Sequence, residues 1–446
     1  GNSEVNAFDR AWGGEGGWQY GEGTGGAGGT SSSAASASNA GDSSVTALAD
    51  AIGGIGGAAS GPTSTAADGA TAHATAEAHS SGGAYTTAIA LQTGGAGGRA
   101  QSGAQAGRGA DSVMLNAVSG SSAGTVLLQQ LAFGGAGGSS FDDGLGGAGG
   151  NARSELTSAN PLGGQLELMS SAVGGAGGRS APGGTATASV SAEADSAPLD
   201  VRAQAIGGTG GDGTFGGSDA GAGGDAIVER VEGRSNDGSV YLVPEAAGGD
   251  GGQSSNVAGE RGGDASAIDA LAGNTSGQLA LSQFVYGGSG GPANAFSFEG
   301  GHGGDGGDAT SVVDNSSTAA FVQSYHQASG GSGGSGLGDI PTLAGNGGFT
   351  YTPTGGYTGP DSFVYRAEAA GGASSDLATV SLTVNAITTV QPPTNFYVSS
   401  VVGNRVTVRW TPPAIGPAAT GFVFEGGVAP GQVLASLPLG NLPIFT

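Results

Sequence analysis

Four histidines and a recurring set of aspartates are the side chains of this sequence best suited to chemistry, and their spacing limits what they can do. His73 and His79 share one face of an alternating segment, but their separation, about 20 Å along an extended strand, is too long for one metal ion. His302 stands beside Asp305 and Asp308 in a glycine loop, and His326 stands apart. Gly303-Gly304-Asp305-Gly306-Gly307-Asp308 fits the opening of the Gly-Gly-x-Gly-x-Asp-x-apolar repeat that binds Ca²⁺ in parallel β-rolls, yet Thr310 falls where the apolar residue belongs. Gly221 to Ile227 fits in part. Asp225, Asp264 and Asp308 recur in register from unit to unit. Together with Asp305 they are the candidate metal ligands, and Ca²⁺ is the candidate cofactor. Against this, β-rolls need matching turns in succession, whereas these matches are about forty residues apart. Aspartate also favours glycine corners for its own hydrogen bonding.

Catalysis finds little support. All 12 basic residues are arginine, which excludes a Schiff-base lysine, a phosphate-loop lysine and a Lys–Asn isopeptide staple. Cysteine is absent, so disulfides and thiolate metal sites are excluded as well. Asp142-Asp143 and the scattered glutamates are carboxylates whose separation in space no spacing fixes. The expectation is a protein that is not an enzyme. A net charge of −24 repels nucleic acid and anionic membranes, and no apolar run approaches the roughly 18 residues of a membrane span. Gly1 in place of Met predicts a processed form or a fragment, and the expected location is extracellular, at the cell surface.

The elements that position these residues are set by a repeat. Glycine makes up 98 of 446 residues, and Gly-Gly-x-Gly-Gly begins at Gly13, Gly53, Gly94, Gly134, Gly174, Gly207, Gly248, Gly287 and Gly330. The intervals are 40, 41, 40, 40, 33, 41, 39 and 43 residues. A second glycine step follows in each unit, at Gly25, Gly69, Gly109, Gly146, Gly184, Gly224, Gly263 and Gly307. Next comes an alternating segment. Ala186, Ala188, Val190, Ala192 and Ala194 alternate with Thr187, Ser189, Ser191 and Glu193, and Ala72, Ala74, Ala76 and Ala78 alternate with His73, Thr75 and Glu77. Period two sends alternate side chains to opposite faces of a strand, so these segments are strands with a methyl-lined buried face. After a turn, a second segment carries larger anchors, such as Val126 to Leu128, Val201, Tyr241 to Val243, Leu279 to Leu281, and Phe321 with Val322.

A forty-residue unit of this kind cannot bury its face alone and must stack on its neighbours. The expected fold is all-β: a glycine-rich repeat β-solenoid followed by immunoglobulin-like β-sandwich modules. Gly-Gly-x has period three, as has a polyproline-II-type helix. Two arrangements therefore stay open for the array, a stacked β-solenoid with glycine corners and a bundle mixing strands with polyglycine-II helices; a flexible linker array is the third and weakest. The glycine runs resemble those of bacterial glycine-rich repeat proteins, including adhesin and surface families, over residues up to about 336.

The composition changes after Gly338. Gly347-Gly348-Phe349-Thr350-Tyr351-Thr352-Pro353, then Gly359-Pro360-Asp361-Ser362-Phe363-Val364-Tyr365 and Ala378 to Val384 resemble the second half of the cadherin-like sandwich repeat of large bacterial surface proteins. Val406-Thr407-Val408-Arg409-Trp410-Thr411-Pro412-Pro413 and Gly421 to Glu425 resemble the start of a fibronectin type III domain, which makes Trp410 its core tryptophan. The expected organisation is thus a repeat array over 1–338, an incomplete cadherin-like segment over 339–388 and a truncated fibronectin type III-like module over 392–446.

Two functions are expected from these features. One is a structural scaffold or filament subunit of the bacterial surface or matrix, which self-associates head to tail. The other is an adhesin stalk that binds surface polysaccharide, a partner surface or ice. A lattice binder repeats one exposed residue in every coil. Here the outward positions vary among Ser, Glu, Arg, Asp and His, which favours the scaffold.

Overall fold

The computed structural model describes residues 3–141, 144–213, 220–254, 259–293, 303–313 and 319–335, and beyond them 359–365, 378–384, 393–402, 405–412, 421–426, 435–440 and 444–445. The chain divides into two compact units, Gly1–Asp339 and Ile340–Thr446. Every regular element among the described residues is a strand.

The first unit is a parallel β-solenoid. The anchor-bearing segments form one nine-stranded sheet, from Val5–Trp12 through Val45–Ile52, Thr86–Thr93, Val126–Phe133, Leu166–Val173, Leu199–Ile206, Val240–Ala247 and Gln278–Tyr286 to Phe321–Ser329. Its strands pair in order, residue for residue: Val126 lies beside Thr86 on one side and Leu166 on the other. The alternating alanine segments make the opposite wall. Ser31–Asn39, Ala72–Ser80 and Val118–Ser121 form one sheet, and Ser112–Leu115, Ala152–Ala159, Ala186–Ala194, Ala226–Ser235, Ala265–Ile268 and Ala309–Val312 form the backbone of another.

The alternation decides what lies between the walls. Ala74, Ala76, Ala186, Ala188 and Ala192 are fully buried on one side, and Val126, Leu128, Leu166 and Leu242 on the other. Small side chains thus face larger ones, which fills a thin interior. Ala192→Leu is expected to overpack it and cost about 1–3 kcal/mol. The same leucine at Thr187, on the outer surface of the same strand, is expected to stay within about 0.5 kcal/mol; thermal melting of the two variants checks the difference. Phe321 and Val322, expected among the anchors, are 54% and 39% exposed. They belong to the last strand of the stack, where no further coil covers them among the described residues.

The glycine segments show that the two arrangements left open by the sequence coexist. In the stretch from Gly53 to Gly57, Gly53 and Gly56 donate to the carbonyls of Thr93 and Ala96 in the next coil, each at 2.9 Å. Gly54 and Gly57 donate to Gly29 and Gly26 of the preceding coil's return segment, each at 2.8 Å. Ile55 points outward and is 42% exposed. Bonds in one direction recur every third residue, the period of a polyglycine-II helix. The return segments run antiparallel to the pentapeptides: Gly107 donates to Gly98 and Ala110 to Gly95.

Each coil therefore has two halves. A β half encloses a side-chain core, and a glycine half is held by backbone hydrogen bonds between rows packed too closely for side chains. Ordering glycine costs about 0.5–1 kcal/mol more than ordering alanine, and each bond returns about 1 kcal/mol net. Isolated, such a layer is marginal; stacked between coils, it is cooperative. The 33-residue interval arises at the outer edge of this layer. There Ala181 donates directly back to Gly178 at 2.9 Å, whereas other coils insert short strands such as Ala59–Ser60 and Ser64–Thr65.

Among its described residues, the second unit shows antiparallel strand pairs. Gly359–Tyr365 pairs with Ala378–Val384, Thr394–Val402 with Arg405–Thr411 and through it Ile444–Phe445, and Phe422–Gly426 with Ala435–Gly440. Trp410 is buried, stacked at 6.2 Å on Phe396 and met edge-on at 5.4 Å by Phe422.

Candidate interaction surfaces

The aspartates singled out by their register do form a ladder, and its visible work is to join coils. Asp225 Oδ1 accepts the Asp264 N–H at 2.8 Å, and Asp264 Oδ1 accepts the Asp308 N–H at 2.7 Å. Earlier coils repeat the device with Asp111 accepting from Asn151 at 2.7 Å and Asn151 from Thr185 at 2.9 Å. These N–H groups lie where the return glycine row becomes a strand, and the short side-chain acceptor takes the place of a backbone carbonyl. Arg261 adds the counter-charge, reaching Asp264 Oδ2 at 3.0 Å and Asp308 Oδ2 at 3.3 Å.

Asp305 is not part of the ladder. Its side chain is exposed in the return row, and its carbonyl accepts from Gly262 at 2.9 Å. Among the described residues no group of three or more His, Cys, Asp or Glu side chains converges as a metal site would require.

The Arg261 hydrogen bond holds the Asp264 carboxyl below the ordinary carboxylate range, against a smaller opposing effect of burial. A lowered folded pKa means that the ion pair contributes stability above the unfolded value near 4 and loses it as pH falls through the folded value. Asp264 is 43% exposed, so Asp264→Asn is expected to cost less than about 1 kcal/mol at neutral pH. Below about pH 4 its melting temperature should converge on that of the parent. A constant difference down to pH 2 in calorimetry would show that the loss is not electrostatic.

The three described histidines do not assemble. His73 and His79 are exposed on the strand Ala72–Ser80, where His79 Nδ1 meets the Ser121 hydroxyl at 3.0 Å on the adjoining strand. His326 lies on the terminal strand of the long sheet beside Ser324, its pKa lowered by burial. His302 and the Asp142-Asp143 pair lie outside the described residues. A groove of about 610 Å³ crosses the coil tips where the two walls join, with Asn160, Glu193, Asp195, Arg234 and Asn236 among its lining. It mixes both charge signs and holds no nucleophile–base pair.

Three buried glutamines escaped the sequence reading, and they explain how the alanine wall changes course. Within one coil, Ser112–Leu115 pairs forward with Ala152–Ala159 while Val118–Ser121 pairs back with Ala72–Ser80. The switch occurs at Asn116, which has a positive φ of 49°. This split frees backbone groups on both sides. From the long sheet, Gln92 accepts from Ala74 N–H at 3.3 Å and donates to Val113 O at 3.2 Å. Gln130 accepts from Ala117 N–H at 2.6 Å and donates to Met114 O at 3.0 Å and Glu155 O at 3.1 Å. Gln283 plays a similar part by the second irregularity, donating to Ala267 O at 2.9 Å near Asp269, whose φ is also 49°. An amide at an inward position, as in Leu128-Gln129-Gln130-Leu131, was the available signal.

The two outer faces differ in chemistry. That of the alanine wall is polar and charged, with Arg153 3.2 Å from Glu229 and Arg234 2.6 Å from Glu232. That of the long sheet carries larger apolar side chains, set among polar residues that include Arg10, Asp50, Glu167, Asp200, Arg202 and Glu245. In one cross-strand row, Trp12, Ile52, Thr93, Phe133, Val173, Ile206, Ala247 and Tyr286 lie in register and at least partly exposed.

Among the described residues, the stack is uncovered at two ends. Val5–Trp12 and Phe321–Ser329 are the edge strands of the long sheet. A methyl group on Gly14 or Gly17 would meet nothing within 4 Å, whereas at the equivalent Gly54 and Gly57 it would collide with the carbonyls of Gly14 and Gly17. At the other end, Gly330 and Gly333 would meet only a single oxygen each, at 3.5 and 3.6 Å.

Comparison of the chain with protein-family models, with curated proteins and with solved structures gives no match.

Proposed function

We propose that this chain is an extracellular structural protein of the bacterial surface or matrix, a scaffold or filament subunit that stacks end to end. The observation that carries this reading is the glycine at each open end. Inside the stack, glycine is required because the next coil's carbonyl occupies the space of a Cβ. Among the described residues nothing crowds that space at Gly14, Gly17, Gly330 and Gly333, yet the residue is still glycine, which suits the docking of another coil there. All strands of the long sheet are parallel, so the leading edge of one copy matches the trailing edge of the next. Such a head-to-tail contact does not close on itself and builds a filament.

The antiparallel strands of the second unit fit the cadherin-like and fibronectin type III-like modules suggested by their sequences. Trp410, packed between Phe396 and Phe422, is the central residue of the latter. Modules of this kind suit display from a scaffold, and the chain as a whole is a non-enzymatic surface protein.

The test is electron microscopy of the full chain in moderate salt, which screens the −24 charge, beside the variant Gly14→Val/Gly17→Val. Those side chains fit the free chain but not a docked coil. Filaments from the parent and short particles from the variant are expected. Filaments of equal length from both would overturn end-to-end stacking through the glycine rows.

A further inference from the structure

We propose that the outer face of the nine-stranded sheet is a docking surface for a second copy of this chain, packed sheet against sheet. That face is distinct from the end-to-end contact, and lateral pairing through it does not require end-to-end stacking. The two outer faces of the solenoid differ. Both walls alternate inward and outward side chains; the exterior of the alanine wall is mostly polar, as in a sheet that faces water, with Val113, Leu115, Ile227, Ile268 and Val312 exposed among the polar residues, whereas part of the long sheet is apolar over adjoining strands. On the long sheet, Thr86–Thr93 and Val126–Phe133 carry no charged residue at all. They present Ile89, Leu91, Leu131 and Phe133 outward, each partly exposed.

Several of the polar groups on this face are partnered within it. Arg10 pairs with Asp50 at 2.9 Å and Arg202 with Asp200 at 2.8 Å. Gln204 bridges Ser171 and Glu245, each at 3.3 Å. Covering the face leaves these pairs satisfied, while outward Thr87, Thr93 and Gln129 would need partners across the interface, because an unpaired buried group is costly.

Size argues for a large partner. Nine strands about 4.8 Å apart and eight residues long at about 3.3 Å each present roughly 1,000 Å². A stable protein interface takes about 800 Å² from each partner, and contiguous apolar patches beyond a few hundred Å² mark interaction sites. A second copy offers the same apolar, regularly ridged surface, and two such sheets pack about 10 Å apart with interdigitating side chains. Two copies each carrying −24 repel at low salt, so pairing is expected in moderate salt, where that repulsion is screened.

The absence of cysteine makes the test direct. Single-cysteine full-length variants Thr93→Cys, on this face, and Thr187→Cys, on the polar face, are labelled with a maleimide at low and at high protein concentration. Thr93→Cys is expected to react at least 10-fold more slowly in concentrated protein, with Thr187→Cys unchanged. In sedimentation, Leu91→Glu/Leu131→Glu is expected to weaken lateral pairing at least 100-fold. Thr187→Glu/Ser189→Glu, with the same added charge on the other face, should leave it intact. Labelling of Thr93→Cys that does not depend on concentration overturns the proposal, whether the site stays open or is covered by the chain's own second unit. Should the leucine variants fail to fold, the labelling result decides alone. Filaments one chain wide would refute lateral pairing while leaving end-to-end stacking in place.

Discussion

Gly135→Ala is expected to destabilise the solenoid by about 3–5 kcal/mol, while Gly14→Ala, at the same place in the pentapeptide, is expected to be close to neutral. The difference follows from what surrounds each residue. A methyl group on Gly135 would lie well inside van der Waals contact with the Gly95 carbonyl oxygen and 2.8 Å from the Ala110 nitrogen. Those two groups are bonded to each other at 2.9 Å, so the methyl must separate two rows and break their hydrogen bond together. Overpacking alone costs about 1–3 kcal/mol, and each buried backbone group left unpaired adds about 1–3 kcal/mol. Gly14 has nothing within 4 Å of such a methyl, and alanine reduces the entropy lost on folding. Denaturant unfolding of the two variants checks the contrast. Equal, small effects would mean that the rows are not packed backbone to backbone.

Gln130→Leu is the second large effect, a loss of about 3–5 kcal/mol despite the nearly equal size and greater hydrophobicity of leucine. The amide of Gln130 is fully buried and partners Ala117 N–H, Met114 O, Glu155 O and the Ser154 hydroxyl. Leucine satisfies none of them, and unpaired buried groups cost about 1–3 kcal/mol each, with partial relief from water where the site is open. Gln129→Leu, one residue away on the outer face, is expected to change stability by less than about 0.5 kcal/mol. Finding both substitutions neutral in chemical denaturation would show that the split in the alanine wall needs no amide to fill it.

Much of this architecture was legible in the sequence because the coil repeats its own constraints. The alternation Ala186-Thr187-Ala188-Ser189-Val190 fixed both the strand and its buried face. The recurrence of Gly-Gly-x-Gly-Gly fixed the stacking period, since only a stacked neighbour explains glycine kept at constant phase. The period-three pattern did not by itself separate glycine corners from polyglycine-II rows, because both need glycine at the same positions. What decides is where each N–H goes, as with Gly53 toward the next coil and Gly54 toward the preceding one.

The ladder of Asp225, Asp264 and Asp308 was visible as a register. Its bonding to the next coil's N–H was not, since an aspartate in a metal site and one at a corner look alike in a sequence. Asn116 and Asp269 gave no warning of the breaks in the alanine wall. Each lies in a stretch whose alternation fades, and only the buried amides opposite, Gln130 and Gln283, record the gap from the other side. The apolar part of the long sheet's outer face was hidden differently. Segments such as Val126-Leu127-Leu128 are apolar at successive positions, so they announce burial without saying which face is covered and by what.

Hydrogen exchange of the pentapeptide amides tests the central claim, that glycine rows and β walls form one stacked fold, most directly. Mass spectrometry on peptides covering 134–138 compares them with the neighbouring strand Val126–Phe133. Gly134 donates to Val173 O, Gly135 to Ala110 O, Gly137 to Ala176 O and Gly138 to Gly107 O, each at 2.8 Å, while position 136 is the outward-facing member of the row. Four protected amides are expected in this segment, exchanging as slowly as those of the strand and only through opening of the stack. Exchange of the whole segment at the rate of an unstructured chain, with the strand still protected, would contradict that claim and reduce the glycines to linkers between β walls.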